Sequence, residues 1–444
     1  MRRFEAYEML KTGRNVFLTG PAGSGKTFLL NRYIEYLLKH KVNVGVTAPT
    51  GIAATHLNGR TIHSWIGMGI HETLNDAQLK RVLEKEQLWP RVHYASVLVI
   101  DEISMLNAKR LDLVDLICKS IRQDLRPFGG LQIVFCGDFF QLPPVPRDGQ
   151  DPRFAVESAA WQNADVAVCY LEEQYRQADE RFLRVLNDIR ENRVSDETRD
   201  ILRERLHQPV AGIVRPTLLY THNSDVDAYN LTQLDKLPGE EKVFTMRAIG
   251  IPHLVEELQR GCLAHQELPL KVGAVVMFIR NNFNRGYVNG TIGTVTGFDE
   301  DDGFPMVTTL SGEEIKAQTE TWAIEDDGKV LASIIQIPLR LAWAITVHKS
   351  QGMSLDCAEI DLGKTFEYGM GYVALSRVRT LAGIKLVGLN DLALQVNEQV
   401  IVLDKKLREQ SAQDAAFLRE VGLLERKKVQ REFLAQCRHP SALL

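Results

Sequence analysis

The run GPAGSGKT, Gly20 to Thr27, constrains this chain more than any other stretch. It sits between NVFLTG, which reads as a buried strand, and FLLNRYIEYLL, which reads as a helix. Gly20, Pro21, Ala22, Gly23, Ser24 and Gly25 can curl tightly enough to aim several backbone N–H groups at one anion. The start of the following helix adds the positive end of its dipole. Lys26 is placed to neutralise the outer phosphates of a nucleoside triphosphate, and Thr27 to offer its hydroxyl to Mg²⁺. Strand, loop and helix in that order predict a parallel α/β sheet with the ligand at the carboxyl ends of its strands.

Further strand candidates follow through residue 172: VNVGVTA, SVLVID, LQIVFCGD and VAVCYLE. Residues 1–165 are therefore expected to form a first nucleotide-binding domain, with a polar excursion at 66–92 as a small subdomain. Residues 166–271 read as helix-rich with one strand, TLLYT. Short strands divided by Gly, Asn and Asp over 272–335 read as a small antiparallel barrel. The α/β texture returns over 336–395 (IQIPLRLAWAIT, CAEIDL, IKLVGL), so the barrel is expected as an insertion in a second α/β domain. Residues 396–444 read as a helical tail, a possible contact for a protein partner.

The net charge of −4, from 53 basic and 57 acidic residues, excludes a protein that coats nucleic acid by bulk charge. Any such binding must use a local groove. Six cysteines lie without a CxxC pair, so reduced thiols in the cytoplasm are expected rather than a zinc site or disulfide framework. No apolar run is long enough for a membrane span, and no membrane partner is expected.

Three further signals carry chemistry. In VLVIDEISML a buried strand ends in Asp101 and Glu102: Asp101 is expected to hold Mg²⁺ and Glu102 to orient and deprotonate the attacking water. GDFFQLPPV places Asp138 and Gln141 at another strand exit, where Gln141 can sense the γ-phosphate. Phosphoryl transfer also needs positive charge on the γ-phosphate, and Arg176 in LEEQYRQ and Arg377 in YVALSRVR are candidates. With Arg377 in the second α/β domain, the nucleotide is expected in a cleft between the two.

Other segments suit a nucleic-acid strand. TAPTGIAA offers Thr50 and the amide of Gly51, and GRTIHSWIG offers Thr61 and His63, with Trp65 either packed or stacking. AITVHKSQG offers His348, Lys349 and Ser350. Hydroxyls, amides and a lysine hold phosphates without reading bases.

In order, GPAGSGKT, TAPTGIAA, VIDEISM, GDFFQLPPV, LEEQYRQ, TVHKSQG and YVALSRVR resemble the motifs of superfamily-one helicases. RPFGGLQ within 111–132, together with LKVGAVVMFIRNNFNRGYVNGTIGTV, narrows the resemblance to PIF-type DNA helicases of the RecD-like group. The resemblance implies two RecA-like parallel-sheet domains, an inserted antiparallel β-barrel and a helical C-terminal tail. It implies Mg²⁺-dependent ATP hydrolysis by a monomer, 5′-to-3′ movement on single-stranded DNA, and unwinding of duplex or forked DNA, with G-quadruplexes and R-loops as possible substrates. It places Lys26, Thr27, Asp101, Glu102, Gln141, Arg176, Gln351, Gly352 and Arg377 around ATP, and Thr50, His63, Asn223, His348 and Lys349 near the DNA. The chain departs from the pattern at its front, where Arg3 stands in place of the family's usual adenine-clamping Gln. Either another group recognises the base or the preference for ATP is relaxed. A switch that binds single-stranded DNA under ATP control without unwinding is the alternative.

Overall fold

The apolar runs of the first 172 residues form the strands they predict, all parallel. The computed structural model describes residues 1–50, 53–54, 57, 59–69, 73–144, 153–173, 179–210, 217–220, 226–262, 264–280, 282–287, 290–309, 312–326, 329–347, 350 and 355–437. The chain divides into two units, Met1–Arg176 with Asn397–Leu444, and Gln177–Val396.

The first unit is built on β1 (Val16–Thr19), β2 (Val44–Ala48), β3 (Arg60–Thr61), β4 (Val97–Ile100), β5 (Gln132–Cys136) and β6 (Ala167–Tyr170), in the sheet order β3-β2-β4-β5-β1-β6. β1 is central, Val16 lying opposite Val134 on one side and Ala167 on the other. Val16, Phe17 and Leu18 are fully buried, as strands covered on both faces must be. Helix α2 (Lys26–Lys39) follows the glycine loop and buries Leu29, Leu30, Tyr33, Ile34 and Leu37, a single apolar stripe. Two buried polar side chains pair under the sheet: the Tyr33 hydroxyl donates to Gln132 Oε1 at 2.6 Å, and Gln132 Nε2 donates to the carbonyls of Leu10 and Arg14 at 2.9 and 2.8 Å. Leu10 ends the apolar face of helix α1 (Arg3–Lys11), which buries Ala6, Met9 and Leu10.

RPFGGLQ is a packing device. Phe128 sits at φ 51° and donates its N–H to Asp115 Oδ1 at 2.6 Å, and Arg122 Nε donates to the Gly129 carbonyl at 2.6 Å. A Cβ on Gly129 would stand 2.8 Å from the Cys118 carbonyl oxygen, so glycine is required there.

The terminal helices Glu398–Glu420 and Leu423–Cys437 belong to this unit, and Leu418 and Leu434 join its core. Side chains of the first of them hydrogen-bond the outer edge of β6. Val168 N donates to Asp414 Oδ2 at 2.8 Å, Tyr170 N donates to Ser411 Oγ at 3.0 Å, and Gln410 Nε2 donates to the Val166 carbonyl at 2.8 Å. The helix thus covers a strand edge that would otherwise expose unpaired backbone groups.

The second unit contains a four-stranded parallel sheet ordered Ala344–Thr346, Thr217–Tyr220, Ala358–Leu362, Ile384–Leu389. A five-stranded antiparallel sheet runs Glu314–Lys316, Pro305–Thr309, Ile292–Phe298, Val275–Phe278, Leu339–Leu341. Glu320–Asp326, Lys329–Gln336 and Arg247–Gly250 form a second antiparallel sheet, and Glu267–Leu270 with Lys242–Thr245 a third. Two readings of the sequence are corrected here. The 166–271 stretch contains more strands than TLLYT, because KVFT and RAIG are short and exposed and carry little apolar signal. IQIPLRLAWAIT is divided among three sheets; the first break falls at Pro338, which has no N–H for a ladder, and the second at Ala342–Trp343. No described helix is long and apolar enough to cross a membrane.

Candidate nucleotide and nucleic-acid site

Where β1 ends, the chain turns through Gly20 (φ 141°), Gly23 (φ 78°) and Gly25 (φ 88°), backbone conformations that side-chain-bearing residues rarely adopt. Gly20 is needed on a second count: a Cβ there would stand 2.3 Å from the Leu171 carbonyl oxygen at the end of β6. Lys26 opens α2 and folds back over the loop, its Nζ donating to the carbonyls of Gly20 at 2.7 Å and Pro21 at 3.0 Å. Ser24 is fully buried and its Oγ has no hydrogen-bond partner. An orphaned hydroxyl inside a curl of positive-φ glycines, with an ammonium over it and a helix start behind, suits a polyphosphate.

β4 delivers the carboxylates. Asp101 is 5 % exposed. Burial pushes its carboxyl above the ordinary range, opposed by the Cys136 thiol, the Glu102 N–H and the charge of Lys26. The parallel order β4-β5-β1 puts this carboxylate and the phosphate loop at the same end of the sheet. Glu102 holds φ 49°, ψ 44°, a left-handed conformation costing about 1–3 kcal/mol in a residue other than glycine. Its N–H donates to Asp101 Oδ1 at 2.9 Å and its carbonyl accepts from Met105 N at 3.1 Å, which fixes the turn. Asp101 and Glu102 thus follow the last residue of β4 directly, at its carboxyl end. Thr27 and Asp101 are hard oxygen donors of the kind Mg²⁺ takes alongside phosphate and water.

Two residues past β5 stands Asp138, fully buried, whose Oδ1 accepts from Phe140 N at 3.2 Å. Gln141 N donates to the Asp138 carbonyl at 2.9 Å, and Gln141 itself is 6 % exposed. Gly137 lets this turn approach the one after β4: a Cβ there would lie 3.0 Å from Ile103 N. Strand order thus brings three sequence-predicted groups, Lys26, Asp101 with Glu102, and the Asp138–Gln141 turn, to the carboxyl ends of adjacent strands β4, β5 and β1.

The residues assigned to DNA are placed less uniformly. Thr50 accepts at Oγ1 from Ala53 N at 3.3 Å, and Thr61 caps the Ile62–Trp65 turn by accepting from Ser64 N at 3.2 Å. His63 is half-buried within that turn. Trp65 is packed, its ring 2.6 Å from where a Cβ on Gly45 would stand. In the second unit Ser350 is fully buried and its hydroxyl donates to the Val347 carbonyl at 2.7 Å. Arg377 is 2 % exposed, with Nε donating to the Val373 carbonyl and Nη2 to Ser376 Oγ, both at 3.0 Å. Gly51, Arg176, Asn223, His348, Lys349, Gln351 and Gly352 lie outside the described residues. Sequence reasoning missed Cys136 against Asp101, for which a lone cysteine in a strand gives no signal.

The model of the PIF1-like helicase family matches residues 5–200, and that of the DNA helicase Pif1 2B domain matches residues 253–298. The chain is 45 % identical to the ATP-dependent DNA helicase Pif1 of Psychrobacter sp. (strain PRwf-1), over 93 % of this chain and 71 % of that protein. It is 38 % identical to the ATP-dependent DNA helicase PIF1 of Homo sapiens, over 89 % of this chain and 62 % of that protein, so it spans somewhat less than two thirds of the human relative. Among solved structures, Pif1 helicase from Candida albicans superposes with a TM-score of 0.77 at 36 % identity, covering 91 % of this chain and 98 % of the other. Pif1 helicase from Bacteroides in complex with ADP-AlF3 and ssDNA superposes with a TM-score of 0.62 at 30 % identity, covering 90 % and 94 %. With the phosphate loop, the β4 carboxylates and the β5 turn assembled as described, this chain belongs to the PIF1-like helicase family, and the enzyme class that goes with it is ATP-dependent DNA helicase.

Proposed function

We propose that this chain is an ATP-driven motor that moves 5′ to 3′ on single-stranded DNA as a monomer and unwinds duplex and forked DNA, with G-quadruplexes and R-loops among its substrates. The observation that carries the reading is the arrangement of the glycine loop with Lys26, the Asp101–Glu102 pair and the Asp138–Gln141 turn past the carboxyl ends of the adjacent parallel strands β1, β4 and β5. A Bacteroides relative bound to ADP-AlF3 and ssDNA supports both ligands. Thr27 and Asp101 would hold Mg²⁺, which supplies charge neutralisation on the β- and γ-phosphates when bound. The loop amides and Lys26 hold the phosphates, Glu102 takes the proton of the attacking water, and Gln141 reports the γ-phosphate to the Pro143–Pro144 segment. Arg176 and Arg377 supply positive charge as the γ-phosphate leaves, and Gln351 with Gly352 completes the nucleotide contacts. Thr50, Gly51, Thr61, His63, Asn223, His348, Lys349 and Ser350 are assigned to the DNA strand. A protein partner of the terminal helices would meet the exposed Val402, Leu423 and Leu424.

The test is strand displacement from matched duplexes carrying a 5′ or a 3′ single-stranded tail. Release of the 5′-tailed substrate alone, dependent on ATP, is expected. Release from the 3′ tail alone would reverse the assigned direction. Binding and hydrolysis with no release from either would support a DNA-bound switch instead.

A further inference from the structure

The phosphate end of the nucleotide site is made of glycines and Lys26, but beside it lies a surface of different chemistry. Arg3, the first residue of α1, lays its guanidinium over the ring of Phe28, with Cζ 5.7 Å from the ring centroid. The same side chain rests on the loop: a Cβ built on Gly25 would stand 3.4 Å from Arg3 Nη1 and 3.5 Å from its Cδ. Phe28 follows Thr27 directly and is 61 % exposed, an unusual setting for a large apolar ring in the first turn of a helix whose Tyr33 is buried and whose Tyr36 is half-buried. A triphosphate held at its outer phosphates by Lys26 and Thr27 carries its α-phosphate and sugar past the first turn of α2. The base then comes within reach of the Arg3–Phe28 pair.

The chemistry of the pair decides what it can recognise. Adenine presents an acceptor beside a donor along its edge, which takes a group offering both, such as a carboxamide; guanine presents N7 and O6, two acceptors, which a guanidinium reads only edge-on and not when its face is given to stacking. Arg3 has donors only and Phe28 has neither. The nearest carboxylate on α1, Glu5, is already engaged, accepting from Arg419 Nε at 2.7 Å and from Arg2 N at 2.9 Å. A guanidinium plane and an aromatic ring instead offer stacking and cation–π attraction, which every base satisfies with its ring face. We infer that Arg3 and Phe28 form a stacking platform that holds the nucleotide base by its face and leaves the enzyme tolerant of base identity, so that GTP and the pyrimidine triphosphates are hydrolysed alongside ATP.

This inference rests on the phosphate-loop reading above, and the experiment separates the two. Hydrolysis of ATP, GTP, CTP and UTP is measured at saturating single-stranded DNA for the wild type, Arg3→Ala, Arg3→Lys, Phe28→Ala and Lys26→Ala. Competitive inhibition by inorganic tripolyphosphate, which has no base, is measured beside it. In the wild type, kcat/KM for GTP and CTP should fall within about 5-fold of that for ATP. Phe28→Ala and Arg3→Ala should each raise KM for every nucleotide about 10-fold, the scale of a lost stacking partner, with kcat changed less than 2-fold. Arg3→Lys, which keeps the charge and loses the plane, should fall between. Inhibition by tripolyphosphate should be unchanged in the Arg3 and Phe28 variants, which also shows the loop intact, and should be lost in Lys26→Ala. A preference for ATP above about 100-fold in the wild type, unchanged KM in Phe28→Ala, or weakened tripolyphosphate inhibition in it would overturn the platform. Undiminished hydrolysis by Lys26→Ala would instead overturn the phosphate-loop reading on which it stands.

Discussion

The chain builds a parallel sheet twice, and the two differ in what their surroundings carry. In the first unit, six parallel strands end in a glycine loop, a strained carboxylate pair and a buried Asp–Gln turn. In the second, four parallel strands share the unit with three antiparallel sheets, and the described candidates Arg377 and Ser350 are buried and engaged in local hydrogen bonds. The same architecture serves two purposes. Positive-φ glycines at 20, 23 and 25 shape the loop between β1 and α2, whereas in the second unit Gly303 and Gly312 (φ 72° and 86°) sit in turns between antiparallel strands. Sheet topology alone therefore does not say where phosphate chemistry lies; the residues at the strand ends do.

That contrast can be broken most sharply at Arg377. Replacing it with Ala should lower kcat for DNA-stimulated ATP hydrolysis by about 10³-fold or more, with the nucleotide KM little changed. A loss under 10-fold, with a lowered melting temperature, would make the second sheet chemically silent and Arg377 a packing residue. Glu102→Gln, on the first sheet, should cost about 10²–10⁴-fold in kcat while DNA binding by fluorescence anisotropy is preserved. Unchanged kcat would remove the carboxylate from proton transfer.

The stabilities of the two units should respond to different changes. Asp414→Ala strands the Val168 N–H at the β6 edge and should destabilise the first unit by about 1–3 kcal/mol, read by denaturant unfolding. The smallest effect belongs to the antiparallel region. Lys316 Nζ lies 2.9 Å from Asp299 and 2.7 Å from Asp302, and its hydrogen bond holds Asp299 at about 2, below its ordinary 3.8. A depressed folded-state value means a contribution fully present above 3.8 and lost as pH falls through about 2. Lys316→Ala should therefore lower the melting temperature slightly at pH 5, by an amount that shrinks steadily as the pH falls toward 2. A difference of the same size at both ends of that range would assign the effect to packing.

Much of this was legible in the residues, and the parts that were not share a cause. The glycine loop, the acidic pair and the five parallel strands announce themselves through spacing and through continuous apolar runs. Local pattern does not reveal what an element packs against. The terminal helices read correctly as helices, yet nothing in LREVGLLERKKVQREFL says that Leu418 and Leu434 enter the core of the first unit. Likewise IQIPLRL reads as one apolar run, and only the missing N–H of Pro338 marks the place where the chain changes sheets. Cys136 and Asp101 are distant in sequence and become neighbours because β4 and β5 are.

The most direct measurement compares ATP hydrolysis by the wild type and Lys26→Ala, each with and without single-stranded DNA. The assembled site predicts hydrolysis that rises on adding DNA in the wild type and is lost in the variant under both conditions. Equal rates in the two proteins, or a wild-type rate indifferent to DNA, would contradict it.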